Sequence, residues 1–404
     1  MIPCKEAPFG IWIGIKQRIK NIDNMEKHNK NFQEQIKPLR DEIDRIDADI
    51  LSLLVRRQEQ VEQVVALKKA CKVQVYHPAR EEDLISKLRI QAVKTGVDPD
   101  FLEDLYRVIL RQSRVKQTRQ MEHKAVRPGA KVLIIGGTGQ MGSLFAGLFK
   151  KSRYEVRILG EPDWDHAPDL CSDIDLVLVS VPIEKTGQVI QKIAPFLPER
   201  TLMADLTSVK QEPVAQMLAS HKGPVMGIHP LFGPSSGSLD KQIIVVSPGR
   251  NFEECQWLMD QLGLWGAVVV KATPEEHDEV MELVQALRHF ATFCFGRFLF
   301  QKKADIQRTL EFSSPIYRLE LGMVGRLFAQ DPGLYSEIIF ATPKRRKLLR
   351  DFIDSMEQHI DMLEKNDKDL FIDRFRKIAQ WFGPFGGQAM RESTFLINKL
   401  IERF

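Results

Sequence analysis

A chain of 404 residues has the length of two or three domains, and 28% charged residues with a formal net charge of +4 describe a solvated, nearly balanced surface. No Lys/Arg block is long enough to suggest nucleic acid, and the longest apolar stretch near the start, residues 9–15, is too short to span a bilayer and lacks signal-peptide flanks. The five cysteines (Cys4, Cys71, Cys171, Cys255, Cys294) show no CxxC spacing and read as the reduced thiols of a cytoplasmic protein.

Residues 1–35 read as an N-terminal tail open to disorder, with Met25 as an alternative start. From residue 36 to about residue 72 there is neither Gly nor Pro after Pro38. Ile43, Ile46, Ile50, Leu53, Leu54, Val61, Val64, Val65 and Leu67 recur there at three- and four-residue spacing. That predicts one amphipathic helix about 50 Å long. A second helix is predicted over 79–94, ended by Gly96, and a third over 100–120, started by Asp98-Pro99. So long a first helix cannot bury its stripe against two shorter ones, which predicts dimerisation through it.

The polar residues on these helices are patterned. Arg57 and Lys68 are eleven positions apart, so they share a face roughly 16 Å apart and can converge on one small anion. Arg40 lies about 25 Å further along the axis on another face, within reach of a site in a partner subunit. Ser113 and Gln117 point the same way at i,i+4. Spacing alone also permits ordinary solvated helix charges.

These residues carry a resemblance. Leu39-Arg40-Asp41-Glu42-Ile43-Asp44, with Arg57, Lys68, Arg80-Glu81, Ser113 and Gln117, resembles the all-helical chorismate mutase domain, here residues 36–122. The resemblance implies an intertwined dimer that binds chorismate, with Arg40 supplied by the other chain. It implies that Arg40, Arg57 and Lys68 hold the substrate's carboxylates and ether oxygen. Arg80 and Glu81 would hold its hydroxyl region, and Ser113 and Gln117 would complete the pocket. His77 departs from the aliphatic or acidic residue common before the second helix. Rearranging chorismate to prephenate is pericyclic and needs no nucleophile, so fixed cations and hydrogen-bond donors suit it.

After a polar link at 123–129, strands are predicted at 132–135, 156–159, 176–181, 202–205, 225–228, 243–246 and 268–270. Nearly continuous apolar strands between helical stretches indicate a buried, mostly parallel sheet, a doubly wound α/β domain of Rossmann type over 130–272. Gly136-Gly137-Thr138-Gly139-Gln140-Met141-Gly142 follows the first strand and opens a helix, the dinucleotide-binding fingerprint. Gly137 is read as the tight turn, Gly139 as the close approach to pyrophosphate and Gly142 as helix–strand packing. Glu161 is the acid expected on the ribose after the second strand, favouring NAD over NADP, although Gly160 occupies the neighbouring register. Val181 and Pro182 close the third strand, where such folds line the nicotinamide side.

His229 is placed just after the fifth strand, at the carboxyl edge where ligands bind in these folds, and Ser208 follows the preceding strand at the same edge. Asp205-Leu206-Thr207-Ser208-Val209-Lys210, His229-Pro230-Leu231-Phe232-Gly233-Pro234, Glu276-His277-Asp278 and Ala286-Leu287-Arg288-His289-Phe290 resemble prephenate dehydrogenase. The stretches at 313–320 and 325–331 extend the match. With the mutase front, residues 36–400 resemble the bifunctional T-protein family of tyrosine biosynthesis.

That resemblance implies NAD as cofactor, His229 as the base on the ring hydroxyl of prephenate, Ser208 positioning the hydroxyl or His229, and Arg326 binding a carboxylate. His289 reads as a core histidine from its apolar surroundings, while the resemblance places its helix beside the substrate, near the L-tyrosine site of tyrosine-sensitive members. Residues 273–404 read as an all-α dimerisation domain, which implies a homodimer. Nothing reads as a metal site. Two other readings stand beside this one: a related arogenate or hydroxyacid dehydrogenase, and a non-catalytic sensor of aromatic amino acids. Lys68→Ala is expected to abolish mutase turnover and to leave dehydrogenase activity intact, measured as separate loss of chorismate and formation of NADH.

Overall fold

Between Ile15 and Lys37 the sequence holds neither Gly nor Pro. Nothing therefore stops the first helix where its apolar stripe begins, and α1 runs Phe9–Cys71 with Pro38 inside it. The segment expected as a tail is helical from Phe9 onward. In this computed structural model residues 9–71, 78–121, 124–234 and 239–401 are described, in two units, 1–120 and 121–404. His77, the Lys68 side chain, and residues 122 and 123 of the link lie outside the described residues.

The first unit is completed by α2 (Pro78–Thr95) and α3 (Pro99–Met121). Gly96, at φ +76°, takes the left-handed turn that ends α2. Asp98 Oδ1 accepts the main-chain N–H groups of Asp100 and Phe101, each at 2.8 Å, and starts α3 as its position predicts. The apolar interior is thin: among the described residues of this unit only Val65, Ile85 and Ala92 are buried aliphatics. Ile43, Ile46, Ile50, Leu53, Leu54, Val64 and Leu67 of the predicted stripe are exposed. Polar ties join the helices instead, among them Arg57–Ser113 and Lys116–Glu62 between α1 and α3, and Arg114–Glu81 between α3 and α2.

The second unit opens with β1 (Lys131–Ile135), α4 (Gln140–Lys151), β2 (Glu155–Leu159), the short α5 (Ala167–Cys171) and β3 (Leu176–Val179). Next come α6 (Ile183–Ile193), β4 (Leu202–Asp205), α7 (Gln211–Ser220) and β5 (Val225–Pro230). The sheet ends with β6 (Ile243–Pro248), α8 (Gln256–Leu264) and β7 (Val268–Lys271). Strand order is β2-β1-β3-β4-β5-β6-β7, and every pair is parallel except β5–β6. Successive residues of β1 serve opposite cores. Val132 and Ile134 pack with Phe145, Phe149 and Trp265, while Leu133 and Ile135 pack with Ile190, Ile193 and Met217. Both faces are covered, which is why the strands are apolar throughout.

The order reverses at β1, so the loops after β1 and β3 depart to opposite faces and leave a crevice at their carboxyl ends. The left-handed turn there belongs to Gly136, at φ +76°, and not to Gly137 as the fingerprint register suggested. A Cβ on Gly136 would fall 2.2 Å from the Ser180 carbonyl oxygen, and one on Gly142 would fall 2.4 Å from that of Gly136. The third strand stops at Val179, so Val181 and Pro182 belong to the loop beside this turn, with Val181 Cγ1 3.1 Å from the Gly136 Cβ position.

The chain then turns helical. A continuous helix of α9 (Pro274–Met281), a π-helical segment Glu282–Leu287 and α10 (Arg288–Gln301) is followed by α11 (Ile306–Glu311) and α12 (Pro315–Phe328). The last four helices are α13 (Pro332–Phe340), α14 (Pro343–Glu364), α15 (Lys368–Phe382) and α16 (Pro384–Ile401). Helix α9 packs on α7 and β6, and α13 and α14 pack on the π segment. Large apolar side chains remain exposed across these helices, Trp381 at 80% among them. No described helix is long and apolar enough to cross a membrane. Gly142→Ala forces backbone against backbone and is expected to lower stability by about 1–3 kcal/mol, read as an earlier urea midpoint for the second unit; an unchanged midpoint would show that the turn can give way.

Candidate active sites

In the helical unit, three of the expected residues meet. The half-buried Arg57 donates from Nη1 to Ser113 Oγ at 2.8 Å, and Ser113 Oγ donates to the Ile109 carbonyl at 2.8 Å. Gln117, one turn along α3, is 9% exposed, and its Oε1 has no hydrogen-bond partner. A buried acceptor one turn from the Arg57–Ser113 pair has the chemistry of a polar ligand site's lining, since leaving it unpaired costs about 1–3 kcal/mol. Glu81 faces inward and is held by Arg114 Nη1 at 2.6 Å, a pair 15% and 8% exposed. Sequence reasoning missed Arg114. Arg80 and Arg40 are exposed, and nothing described ties Arg40 to the other residues of this chain's cluster.

In the second unit the parallel strands bring their carboxyl ends to one edge. Ile135 pairs with Val179, Val179 with Asp205, and Asp205 with Gly227. His229 lies two residues beyond Gly227, inside β5 and not in the loop after it, because pairing with β6 continues through Pro230. From the glycine turn to His229 is three inter-strand steps, roughly 14 Å. Helix α4 begins at Gln140 after the N-cap Gly139, with no side chain capping it, so its first N–H groups are available to a phosphate. Together with the cradle that any Cβ would fill, this fits a dinucleotide. Met141 lies on the first turn of α4 and packs against the core. Glu161 follows β2 with its side chain 90% exposed, 3.9 Å from Lys185 Nζ. The N-terminus of α6, right after Pro182, is tied to the helical part through Ile183 N–H and Glu337 Oε2 at 2.9 Å.

His229 is 2% exposed. Its Nδ1 is 2.7 Å from His277 Nε2, whose Nδ1 is 2.7 Å from Asp278 Oδ1. Asp278 in turn accepts the main-chain N–H groups of Lys210 at 2.8 Å and Gln211 at 2.9 Å. Gln285, on the π segment, places its amide nitrogen 3.2 Å from His229 Nε2, and its Oε1 is buried without a partner. Lys210 Nζ, fully buried, is bound by Asp205, which also accepts Thr207 Oγ1 and N–H. Burial holds the His229 imidazole well below its usual pKa, aided by His277, Lys210 and Arg345.

Ser208 sits half-buried in the loop between Thr207 and Val209, but the described partners of His229 are His277 and Gln285, not Ser208. Arg326 is exposed on α12, and the guanidinium whose charge reaches His229 and Asp278 is that of Arg345, 1% exposed on the first turn of α14. Arg345 Nη1 donates to the Ile338 carbonyl, and its Nε and Nη2 have no partner. Nothing in the sequence pattern separates Arg345 from its neighbours in Lys344-Arg345-Arg346-Lys347. His289 is 6% exposed with its ring edge-on to Tyr335 at 4.7 Å, and burial beside Arg288 pushes its pKa down to about 4.

Residues 39–118 match the family Chorismate mutase type II, residues 158–273 the Prephenate dehydrogenase nucleotide-binding domain, and residues 273–377 the Prephenate dehydrogenase dimerization domain. The chain is 42% identical over 365 residues to a T-protein of Enterobacter agglomerans, covering 90% of this chain and 97% of that one. It is 39% identical over 370 residues to a T-protein of Haemophilus influenzae, covering 91% and 98%. Among solved structures, prephenate dehydrogenase from A. aeolicus in complex with hydroxyphenyl propionate and NAD+ has a TM-score of 0.51 at 18% identity, covering 63% of this chain and 97% of that one, a likeness of fold. A mutase segment followed by both segments of a dehydrogenase, with two such relatives matched nearly end to end, means that the chain belongs to the T-protein family of bifunctional chorismate mutase–prephenate dehydrogenases.

Proposed function

We propose that the helical unit converts chorismate to prephenate and that the second unit oxidises prephenate to 4-hydroxyphenylpyruvate and carbon dioxide, with His229 as the base. The observation that carries this is a buried, neutral imidazole at the carboxyl edge of the sheet, a few strands from a glycine turn shaped for a dinucleotide. NAD+, when bound, supplies the hydride acceptor, and Gly136, Gly137, Gly139, Gln140 and Gly142 form its pyrophosphate cradle. Glu161 takes the ribose hydroxyl and disfavours a 2′-phosphate, and Val181 and Pro182 line the nicotinamide side.

His229 Nε2 takes the proton of the ring hydroxyl as that carbon is oxidised. Loss of the ring carboxylate as carbon dioxide restores aromaticity, and the proton returns to the phenolic oxygen, so no proton is gained or lost overall. Ser208 borders the hydroxyl, Arg326 takes a carboxylate from the cleft rim, and His289 stands behind the substrate side of its helix. In the mutase, Arg57 with Ser113, Gln117 and Lys68 fixes the compact conformer and stabilises charge on the ether oxygen, with Arg80 and Glu81 at the hydroxyl end. Arg40 serves the partner's pocket. The uncovered stripe of α1 and the exposed apolar side chains of the last helices support a homodimer, working in the cytoplasm.

Supplying chorismate first and NAD+ second separates the steps by absorbance. If chorismate disappears while NADH fails to form even from added prephenate, the dehydrogenase reading fails. Arg57→Ala is expected to slow the mutase about 10²-fold or more and to leave NADH formation from prephenate unchanged. His229→Asn should do the reverse. Because its pKa is depressed below the ordinary 6.5, His229 stays neutral through the neutral range and loses its function as a base only as pH falls through the depressed value. The acid limb of dehydrogenase kcat/KM is therefore expected below the usual histidine range; a limb centred at or above that range would contradict the burial argument.

A further inference from the structure

His277 and Asp278 read on the sequence as one short motif, with no role for either residue that the chemistry demands. In the fold they form a continuous polar chain with the base. The chain starts on a rigid support, the main-chain N–H groups of Lys210 and Gln211 at the start of α7, at 2.8 and 2.9 Å from the two oxygens of Asp278. It runs through Asp278 Oδ1 to His277 Nδ1 at 2.7 Å and through His277 Nε2 to His229 Nδ1 at 2.7 Å. His229, His277 and Asp278 are 2%, 2% and 6% exposed, so water does not compete for these bonds.

With one hydrogen on each imidazole, the hydrogen-bond inventory gives a single order of protons along this chain. Asp278, ionised and holding two N–H donors, can only accept, so His277 Nδ1 carries a hydrogen. A neutral His277 then has a lone pair on Nε2, so His229 Nδ1 must donate to it. The remaining nitrogen of His229, Nε2, is left as an acceptor, and the Gln285 amide nitrogen at 3.2 Å confirms which way it faces. The other tautomer of His229 would set two lone pairs against each other at His277 and turn an N–H toward the substrate. We propose that His277 and Asp278 are a positioning pair: they hold His229 in the one tautomer whose Nε2 can take a proton, and the Asp278 carboxylate offsets the positive charge that the imidazole acquires.

The proposal rests on the reading of His229 as the base. It also answers a difficulty in that reading. Burial opposes the protonation of His229 first, followed by His277 itself, Lys210 on the β4–α7 loop and Arg345 on α14. Glu282, on the π segment, acts on Arg345. Asp278 is the carboxylate linked to His229 by hydrogen bonds, and it is kept ionised because the bonds from His277, Gln211 and Lys210 outweigh the effect of burial. Without it, the imidazolium formed in the reaction would stand uncompensated in a dry site.

The test uses the full-length enzyme with prephenate and NAD+, and Asp278→Asn, His277→Leu, His277→Gln and His229→Asn. Asp278→Asn and His277→Leu are expected to lower kcat roughly 10²- to 10⁴-fold, by analogy with orienting carboxylates elsewhere, with KM and NAD+ affinity within about threefold. In Asp278→Asn the acid limb of kcat/KM should move about one unit or more to lower pH, because a charge that favours the imidazolium has gone. His277→Gln keeps a carbonyl acceptor for His229 Nδ1 and should recover about tenfold or more of the activity lost in His277→Leu. Activities of Asp278→Asn and His277→Leu close to the parent's would overturn the proposal. So would a joint fall in kcat, prephenate affinity and NAD+ affinity with an unmoved acid limb, the mark of a merely structural pair. If His229→Asn keeps its activity, the base reading falls first; if it is inactive while both neighbours tolerate change, only the positioning pair falls.

Discussion

The dehydrogenase half depends on ionised groups kept out of water at one end of its sheet. Lys210 and Asp205 are both 0% exposed at the side chain. Each ion loses hydration on the order of several kcal/mol, and only close geometry with further hydrogen bonds offsets that. Asp205 meets the demand by binding Lys210 and the N–H and hydroxyl of Thr207, which shapes the turn after β4. The same turn presents the N–H groups of Lys210 and Gln211 to Asp278. Gly227 is part of this arrangement, since a Cβ there would fall 2.8 Å from Lys210 Cδ and 2.9 Å from Val214 Cγ2. A strand glycine, a buried lysine and a helix start thus set the place of a carboxylate that reaches the base only through another histidine.

The helical unit solves a different problem with almost no interior. The three buried aliphatics among its described residues contrast with the two extensive cores flanking the sheet. Salt bridges at the helix surface contribute little each, so the exposed stripe of α1 offers the unit further apolar burial, and in the proposed homodimer a second copy of the same helix is the symmetric way to supply it. The position of Arg40 then follows from the same constraint. In the proposed dimer, α1 is both wall and interface, and Arg40, exposed and outside its own chain's cluster, would serve the other pocket.

Sheet and helices were legible because their signals are periodic and local. All seven strands lie within two residues of their expected ends, and Gly96 and Asp98 bound the helices as their chemistry requires. Residues 1–35 were expected as a tail open to disorder, whereas α1 runs through Phe9–Gln35, where no Gly or Pro interrupts it after Ile15. The turn glycine was off by one since Gly136 and Gly137 are identical in sequence and differ only in φ. At the site, His229 was found from its place after a strand. Its partners were not, because contacts between residues 48 and 56 positions apart leave no spacing to read. Asp278 and Gln285 stand in the stretch read as a dimerisation domain, and the π segment that aims Gln285 has no sequence signature of its own. Arg345 was hidden in a basic run that resembles a solvated helix start.

The two sites use burial in opposite ways, and the chemistry explains why. On the proposed roles, the mutase needs charge that stays put, which suits the fixed guanidinium of the half-buried Arg57. The dehydrogenase needs a group that changes protonation within each turnover, so it relies on an imidazole, and deep burial is what keeps that imidazole neutral and ready. Burial alone would also make the base too weak to accept a proton. On the proposed roles, a carboxylate held at one remove, through His277, offsets the charge of the imidazolium without placing a negative charge against a substrate that already carries two. If His229 is the base, the separation of Asp278 from it by one imidazole suits an anionic substrate and links the identity of the ligand to the geometry of the hydrogen-bonded chain behind it.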